Sequence, residues 1–250
     1  MKASQQLELV KTFMAVGNQP TQETFRFVST KIANFRAELI REEIHGTNEL
    51  VDSVKNDDLV GIVDGLADIL YVVYGAMATH GVVLNNYNDV DIFGSERIGT
   101  GKVQYKHVAD ENIYKIDTAY AKYVSCLSNG SAIGIEESLH NIIAWVSHMA
   151  KIWNLDLSGA FVEVHNSNMS KFAISSTHGH TSIEERLREG HAMVASGKVL
   201  KGEEQIANYT GAVVDQIVVG DDKYYAIKRK SDGKILKSTS FFEPDLSKFA

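Results

Sequence analysis

Two segments in the first third of the chain place carboxylates on stretches otherwise patterned for a core. Glu42, Glu43 and Glu49 lie within residues 36–49, and Asp64 and Asp68 within residues 58–75. Carboxylates on inward-facing positions of neighbouring helices are costly unless something cationic neutralises them. With oxygen donors and no cysteine among them, the ion such a set would hold is hard, Mg²⁺ or Mn²⁺. Such an ion neutralises negative charge and lowers the pKa of a bound water, the chemistry of metal-assisted hydrolysis.

Helical spacing would bring these groups together. Asp64 and Asp68 are four apart and face the same way. Glu42 and Glu49 are seven apart, about two turns, and share a face on a continuous helix. Glu43 lies one position round and suits a base or a bridge. Antiparallel packing of the two helices would join the clusters, with metal filling the gap. Acidic residues on helices are commonly solvated, and a lone Glu-Glu pair carries no weight. Asp68, however, sits between Leu66-Ala67 and Ile69-Leu70 in a near-continuous apolar run. Asp64 fits a ligand or, equally, a cap or a partner of lysine.

The elements that must position these residues follow from hydrophobic period. Pro20 with Asn18 marks a break, Thr21 offers a cap, and Phe27, Ile32, Phe35, Leu39 and Ile40 recur at helical spacing from Thr24 to about Glu43. Asn56-Asp57-Asp58 starts a second helix, apolar from Leu59 to a terminating Gly81. Residues 85–101 read as a loop, and helices return at 110–128, 135–154 and 156–170. Residues 178–202 include a charged helical stretch around Glu184–Val194. Val213–Val219, Tyr224–Lys228 and Ile235–Ser238 alternate around Gly220-Asp221-Asp222 and Asp232-Gly233, which is hairpin chemistry. The expected fold is mainly α: a helical bundle over residues 1–172, with a mixed helix and β-hairpin extension over 173–250.

The same residues carry a resemblance. Leu-Ile-x-Glu-Glu…Asn-Glu-Leu, then Asp-Leu-Val-x-Ile-x-Asp-x-Leu-Ala-Asp-Ile-Leu-Tyr, is similar to the all-α nucleoside triphosphate pyrophosphohydrolases, the MazG-like and phosphoribosyl-ATP pyrophosphohydrolase-like superfamily. Val164-His165-Asn166-Ser167-Asn168-Met169-Ser170-Lys171, and Lys230-Ser231-Asp232-Gly233-Lys234-Ile235-Leu236-Lys237 leading to Pro244-Asp245-Leu246, resemble its phage-type branch. The resemblance covers residues 25–84, 155–172 and 225–247. It implies that Glu42 and Glu43 are the first acidic pair, Glu49 the third Glu and Asp68 the final Asp of the pattern Glu-Glu-x-x-Glu…Glu-x-x-Asp. Two departures stand out. Ile44-His45-Gly46 is inserted before Glu49, so its place depends on a bulge or break, and the usual second-motif Glu falls at Gly65. Asp64 is the adjacent acidic substitute.

The resemblance further implies Mg²⁺ or Mn²⁺ as cofactor, Glu43 and Glu42 as catalytic residues, and contacts from Asn168 and Lys171 to ribose or phosphate. Lys234 and Lys237 follow the Asp232-Gly233 turn, where a loop can aim amines at a triphosphate; solvated lysines are the plain alternative. The expected reaction converts an NTP or dNTP to the monophosphate and pyrophosphate in phage nucleotide-pool metabolism. The competing readings are a related hydrolase of dUTP or an alarmone, and a binding protein whose site has decayed. The superfamily also implies a homo-oligomer.

A 73-residue shift lays Asn56–Leu66 on Asn129–Leu139, Ile69 on Ile142 and Val73 on Val146. This reads either as a fused pseudo-dimer, with 24–84 the active half and 103–157 a degenerate repeat, or as chance similarity of amphipathic helices. In such a repeat Glu49 falls on Lys122 and Asp68 on Asn141, so the second copy lacks ligands.

Composition narrows the partners. The 250 residues, 44% hydrophobic and 23% charged, suit a globular chain with a sizeable core. A formal charge of −7 argues against a broad nucleic-acid face. Cys126 is the single cysteine, so no intrachain disulfide or zinc cluster forms. The N-terminus lacks a signal-peptide pattern, and no apolar run reads as long enough to span a bilayer, so a cytoplasmic protein is expected. Tyr71 and Tyr74 read as core rather than base-stacking residues. His178-Gly179-His180 reads as a loop, and Gly99-Thr100-Gly101-Lys102 lacks the full spacing of a phosphate loop.

Overall fold

The computed structural model describes residues 1–84 and 106–250. In chain order the elements are α1 (Ala3–Val16), α2 (Thr30–His45), α3 (Leu50–Lys55), α4 (Leu59–His80), α5 (Lys106–Asn129), α6 (Ala132–Trp153), α7 (Leu157–Met169), α8 (Ser176–Ala195), α9 (Val199–Tyr209), β1 (Val213–Val219) and β2 (Asp222–Lys228). The chain is mainly α with a small C-terminal antiparallel hairpin, as the sequence indicates. The loop reading of 85–101 and the Gly99–Lys102 stretch lie outside the described residues.

The chain divides into two compact units. One holds Met1–Thr12, Pro20–His165 and Asp245–Ala250; the other holds Phe13–Gln19 and Asn166–Pro244.

The first unit is built around α4. Asp58 caps it, accepting from Gly61 N at 3.0 Å, and Gly81 ends it in the left-handed region at φ 71°. Ile62, Leu66, Ile69, Leu70, Val73 and Met77 have no exposed surface. Ile40 and Ile44 of α2, Leu50 of α3, and Ile135, Leu139, Ile142 and Val146 of α6 are equally enclosed. Each such aliphatic side chain withdrawn from water contributes about 1.5–3 kcal/mol. A helix apolar on every side is what a core position demands. By length and composition α4 is able to span a bilayer, contrary to the sequence expectation, but most of it is buried in the protein. Its interruptions, Asp64 and Asp68, are half-buried.

α2 starts at Thr30, not near Thr24. Ser29 is its N-cap, and the backbone N–H groups of Gln22 and Arg26 donate to the Ala78 and His80 carbonyls, each at 2.8 Å. Residues 21–29 thus spend their donors on the end of α4, and Phe25 stacks on His80. His80 Nε2 in turn lies 3.2 Å from the Tyr123 hydroxyl, and burial lowers its pKa. Arg36 is buried beside Tyr123, and burial lowers its guanidinium to about 10. α4 and α6 are both 22 residues long and lie 73 residues apart. Their N-caps, Asp58 and Ser131, accept from glycine N–H groups, and their C-caps, Gly81 and Asn154, are both left-handed.

In the second unit, β1 and β2 pair antiparallel with Val213 opposite Lys228 and Val219 opposite Asp222, around the two-residue turn Gly220-Asp221. Ile235–Ser238 is not a third strand. It makes a single bridge, Ile235 to Lys228, and its Leu236 N–H donates to the Ile227 carbonyl at 2.8 Å. The core combines Val16, Phe172, Ala226 and Ile235, with Tyr209, Ile227 and Leu236 forming a second cluster under α8. His178 lies on α8 rather than in a loop. Its Nδ1 accepts from Ile174 N at 3.2 Å and its Nε2 meets Thr239 Oγ1 at 2.8 Å, a structural role.

Candidate active site

The helix carrying the first acidic pair does not run on to Glu49. α2 stops at His45; Gly46 caps it, and Asn48 takes a left-handed φ of 68°. Glu49 therefore arrives as the N-cap residue of α3, where its side chain makes no capping hydrogen bond. The extra residues Ile44-His45-Gly46 are absorbed by this break, which replaces the continuous helical face expected from the seven-residue spacing.

The break aims Glu49 at its partners. Glu43 of α2, Glu49 and Asp68 of α4 each offer a carboxylate oxygen, and the three lie within 4.8 Å of one another. All three residues are half-buried. Glu42 and Asp64, also half-buried, lie outside that trio but close enough to act on it. Glu49 is held above the usual carboxylate range, first by burial and then by the negative charges of Asp64 and Glu42. The five acidic residues singled out in the sequence thus cluster around Glu49. An all-oxygen, carboxylate-only set of this size fits a hard divalent cation.

Gly65 explains how α3 reaches this position. A Cβ built on Gly65 would lie 3.0 Å from the Leu50 N, Cα and Cβ atoms. Gly61 lies against Ser53 in the same way, so α3 runs antiparallel along α4 through two glycines. The position that the resemblance sets against a second-motif Glu is here a contact surface for the backbone next to Glu49.

The raised pKa of Glu49 sets an expected pH dependence. A proton held more tightly in the folded chain favours folding fully below the ordinary carboxylate pKa. That contribution is lost as pH rises through the raised Glu49 value. Divalent-cation binding requires the proton to leave, so affinity is expected to climb with pH through the same window and flatten above it. Calorimetric Mn²⁺ titrations across that range check this. An unchanged slope in Glu49→Gln would assign the proton to another group.

One turn beyond Asp68, the Tyr71 hydroxyl meets His165 Nδ1 at 3.1 Å. Both residues are buried; burial raises the Tyr71 pKa, with Asp68 adding to it, and lowers that of His165. Tyr74 donates to Gln6 Oε1 at 2.9 Å and packs edge-on to Phe161. Both tyrosines are core residues.

In the second unit, Asn168 lies in the last turn of α7 and accepts from Lys171 Nζ, which follows the helix end. Lys234 stands after the Asp232-Gly233 turn, with Gly233 left-handed at φ 77°. Lys237 pairs with Glu243 at 2.9 Å and lies over the Phe241 ring at 4.1 Å. Lys171, Lys234 and Lys237 line one cleft of about 410 Å³, together with Arg186 and Lys201. Neither of those last two was singled out in the sequence. They sit on helices of charged, weakly patterned composition, where nothing marks one cation from another.

Comparison with known proteins agrees with the helical core. A family model for phosphoribosyl-ATP pyrophosphohydrolase matches residues 10–90. An uncharacterised protein of Acanthamoeba polyphaga mimivirus is 28% identical over 252 aligned positions, covering 96% of this chain and 92% of its own length. No solved structure gives a significant match. The matched segment contains Glu43, Glu49 and Asp68, and over residues 10–90 the chain is similar to phosphoribosyl-ATP pyrophosphohydrolase.

Proposed function

We infer that the protein is a Mg²⁺-dependent nucleoside triphosphate pyrophosphohydrolase. The observation that supports this most is the convergence of Glu43, Glu49 and Asp68 within 4.8 Å, inside the family-matched segment. Those three carboxylates would hold a divalent cation, Mg²⁺ or Mn²⁺. A cation so bound neutralises the phosphate oxygens and acidifies a nearby water. The residues themselves fix the geometry: α2, the α3 N-terminus and α4 each contribute one oxygen from a rigid element. Glu43 or Glu42, the acidic pair that the resemblance makes catalytic, would take the proton from the attacking water. Water oxygen bonds to the α-phosphorus, the bond to the bridging oxygen breaks, and pyrophosphate leaves. Lys171, Lys234 and Lys237, with Asn168, contribute phosphate or ribose contacts in this reading. The setting is the nucleotide pool of an infected host cytoplasm, in keeping with the viral relative, and the active form is a homo-oligomer.

Residues 103–157 fit a decayed second copy of 24–84. Under the 73-residue shift Asp64 corresponds to Glu137 and Glu49 to Lys122. Lys122 Nζ and Glu137 Oε2 form an ion pair at 2.8 Å. Where the first half sets carboxylate against carboxylate, the second half carries its own cation.

The test is pyrophosphate release from the eight common NTPs and dNTPs and from dUTP, with Mg²⁺ and with EDTA. Metal-dependent release with matching monophosphate is expected. Release from dUTP alone would narrow the enzyme to that substrate. Nucleotide binding with no turnover of any substrate would sink the hydrolase reading and leave a binding protein.

A further inference from the structure

The cleft of the second unit has a composition at odds with the rest of the chain. The protein carries a formal charge of −7. Yet Lys171, Arg186, Lys201, Lys234 and Lys237 line this one recess against a single lining carboxylate, Glu204. Three of these cations come from segments with the family resemblance. Arg186 and Lys201 come from α8 and α9, which that resemblance does not cover.

The recess is built, not a chance gathering of surface lysines. α8 and α9 cross closely at two glycines: a Cβ on Gly202 would lie 2.6 Å from the Gly190 carbonyl oxygen. That crossing sets Arg186 beside α9, where Gln205 Nε2 donates to the Arg186 carbonyl at 2.7 Å and to Glu189 at 3.1 Å. The guanidinium bonds to the Ser238 carbonyl at 2.9 Å and to Glu189 at 3.0 Å, while its Nε is enclosed with no hydrogen-bond partner. The Tyr209 hydroxyl donates to the Lys237 carbonyl at 2.6 Å, fixing the backbone that presents Lys237. Glu189 and Glu243 are thus local counter-ions that an incoming anion would displace or share.

We propose that this cleft is a binding site for a condensed phosphate, with Arg186 and Lys201 as recognition residues supplied by the α8–α9 hairpin. A chain of phosphates presents several charged oxygens that several cations can share, and lysine and arginine are the side chains that bind it. The volume suits a small ligand. The inference extends the reading of Lys171, Lys234 and Lys237 as phosphate-facing, but it rests on the second unit alone. The phosphates belong either to the hydrolysed nucleotide or to a separate anion.

Inorganic tripolyphosphate is the probe, titrated calorimetrically into the full-length protein in EDTA. The wild type is expected to bind. Lys201→Ala, an exposed position with little risk to folding, and Arg186→Gln are each expected to weaken binding about tenfold or more, the scale of one lost charge-assisted contact. Arg188→Gln, on the same helix outside the cleft, is expected to change it little. No binding by the wild type, or equal binding by Lys201→Ala and Arg186→Gln, overturns the proposal. Asp68→Asn separates the two readings, because it is expected to keep tripolyphosphate binding while losing hydrolysis. Hydrolysis without tripolyphosphate binding would leave the enzyme and remove the cleft; binding without hydrolysis would do the reverse. If the cleft variants raise KM for the nucleotide, the phosphates are the substrate's own. An unchanged KM with weakened tripolyphosphate binding assigns the cleft to a separate anion.

Discussion

Replacing Asp68 by alanine is expected to lower pyrophosphate release by about 10²–10³-fold or more, the scale of removing one group that organises charge in a transition state. Glu43→Gln, which keeps the side-chain shape, is expected to do the same. Neither should unfold the protein. Glu43, Glu49 and Asp68 bring carboxylate oxygens within 4.8 Å of one another, and Glu49 is held above the usual carboxylate range by burial first and by the charges of Asp64 and Glu42 second. Removing one carboxylate relieves repulsion, so the metal-free melting temperature is expected to hold or rise. A second readout separates a lost ligand from a damaged fold. A cation that binds only the folded state raises the melting temperature by mass action, and both variants should lose that rise. Full activity in either variant would sink the site assignment. Lost activity with an intact Mg²⁺-induced rise would move the residue from the cation site to another role.

The acidic cluster is legible in the sequence because carboxylates in apolar helices are conspicuous. Asp68 lies in a run that the core would otherwise claim, and it stands in the trio at the centre of unit one. The helix that carries it was readable at both ends, from Asp58 and Gly81. What the sequence hid was the manner of Glu49's arrival. Periodicity alone puts Glu42 and Glu49 on one face of a continuous helix, and only the left-handed Asn48 turns the chain so that α3 begins anew. The start of α2 escapes local pattern for a related reason: residues 21–29 have helical apolar spacing, but Gln22 and Arg26 donate to the carbonyls of Ala78 and His80, a long-range choice that no local pattern records. α1 and α9 went unmarked, since short helices with few caps give little signal against loops. Arg186 and Lys201 were invisible as site residues because a cation's partners depend on which helices cross, and here two glycines decide that crossing.

Gly65→Glu puts on α4 the Glu that the resemblance to the pyrophosphohydrolases would set at this place, and it is expected to damage both stability and activity. The glycine is occupied by close packing. Any Cβ there meets three Leu50 atoms at 3.0 Å, two of them backbone, and backbone cannot rotate away as a side-chain tip can. α3 must move for the larger residue to fit, and α3 carries Glu49 at its first turn. Overpacking of this kind costs about 1–3 kcal/mol, and a further carboxylate beside Asp64, Asp68 and Glu49 adds like-charge repulsion in a half-buried site. Gly65→Ala separates the two effects. Alanine gains about 1 kcal/mol of helix propensity over glycine, which offsets part of the overlap, so its unfolding should change little. The displacement of α3 remains, and with it an expected loss of Mn²⁺ affinity. Thermal unfolding and metal titration of both variants measure this directly. If Gly65→Glu instead bound metal more tightly, with unchanged stability, α3 would not be held by the glycine contact. The glycine would then be a missing ligand rather than the seat of a relocated one.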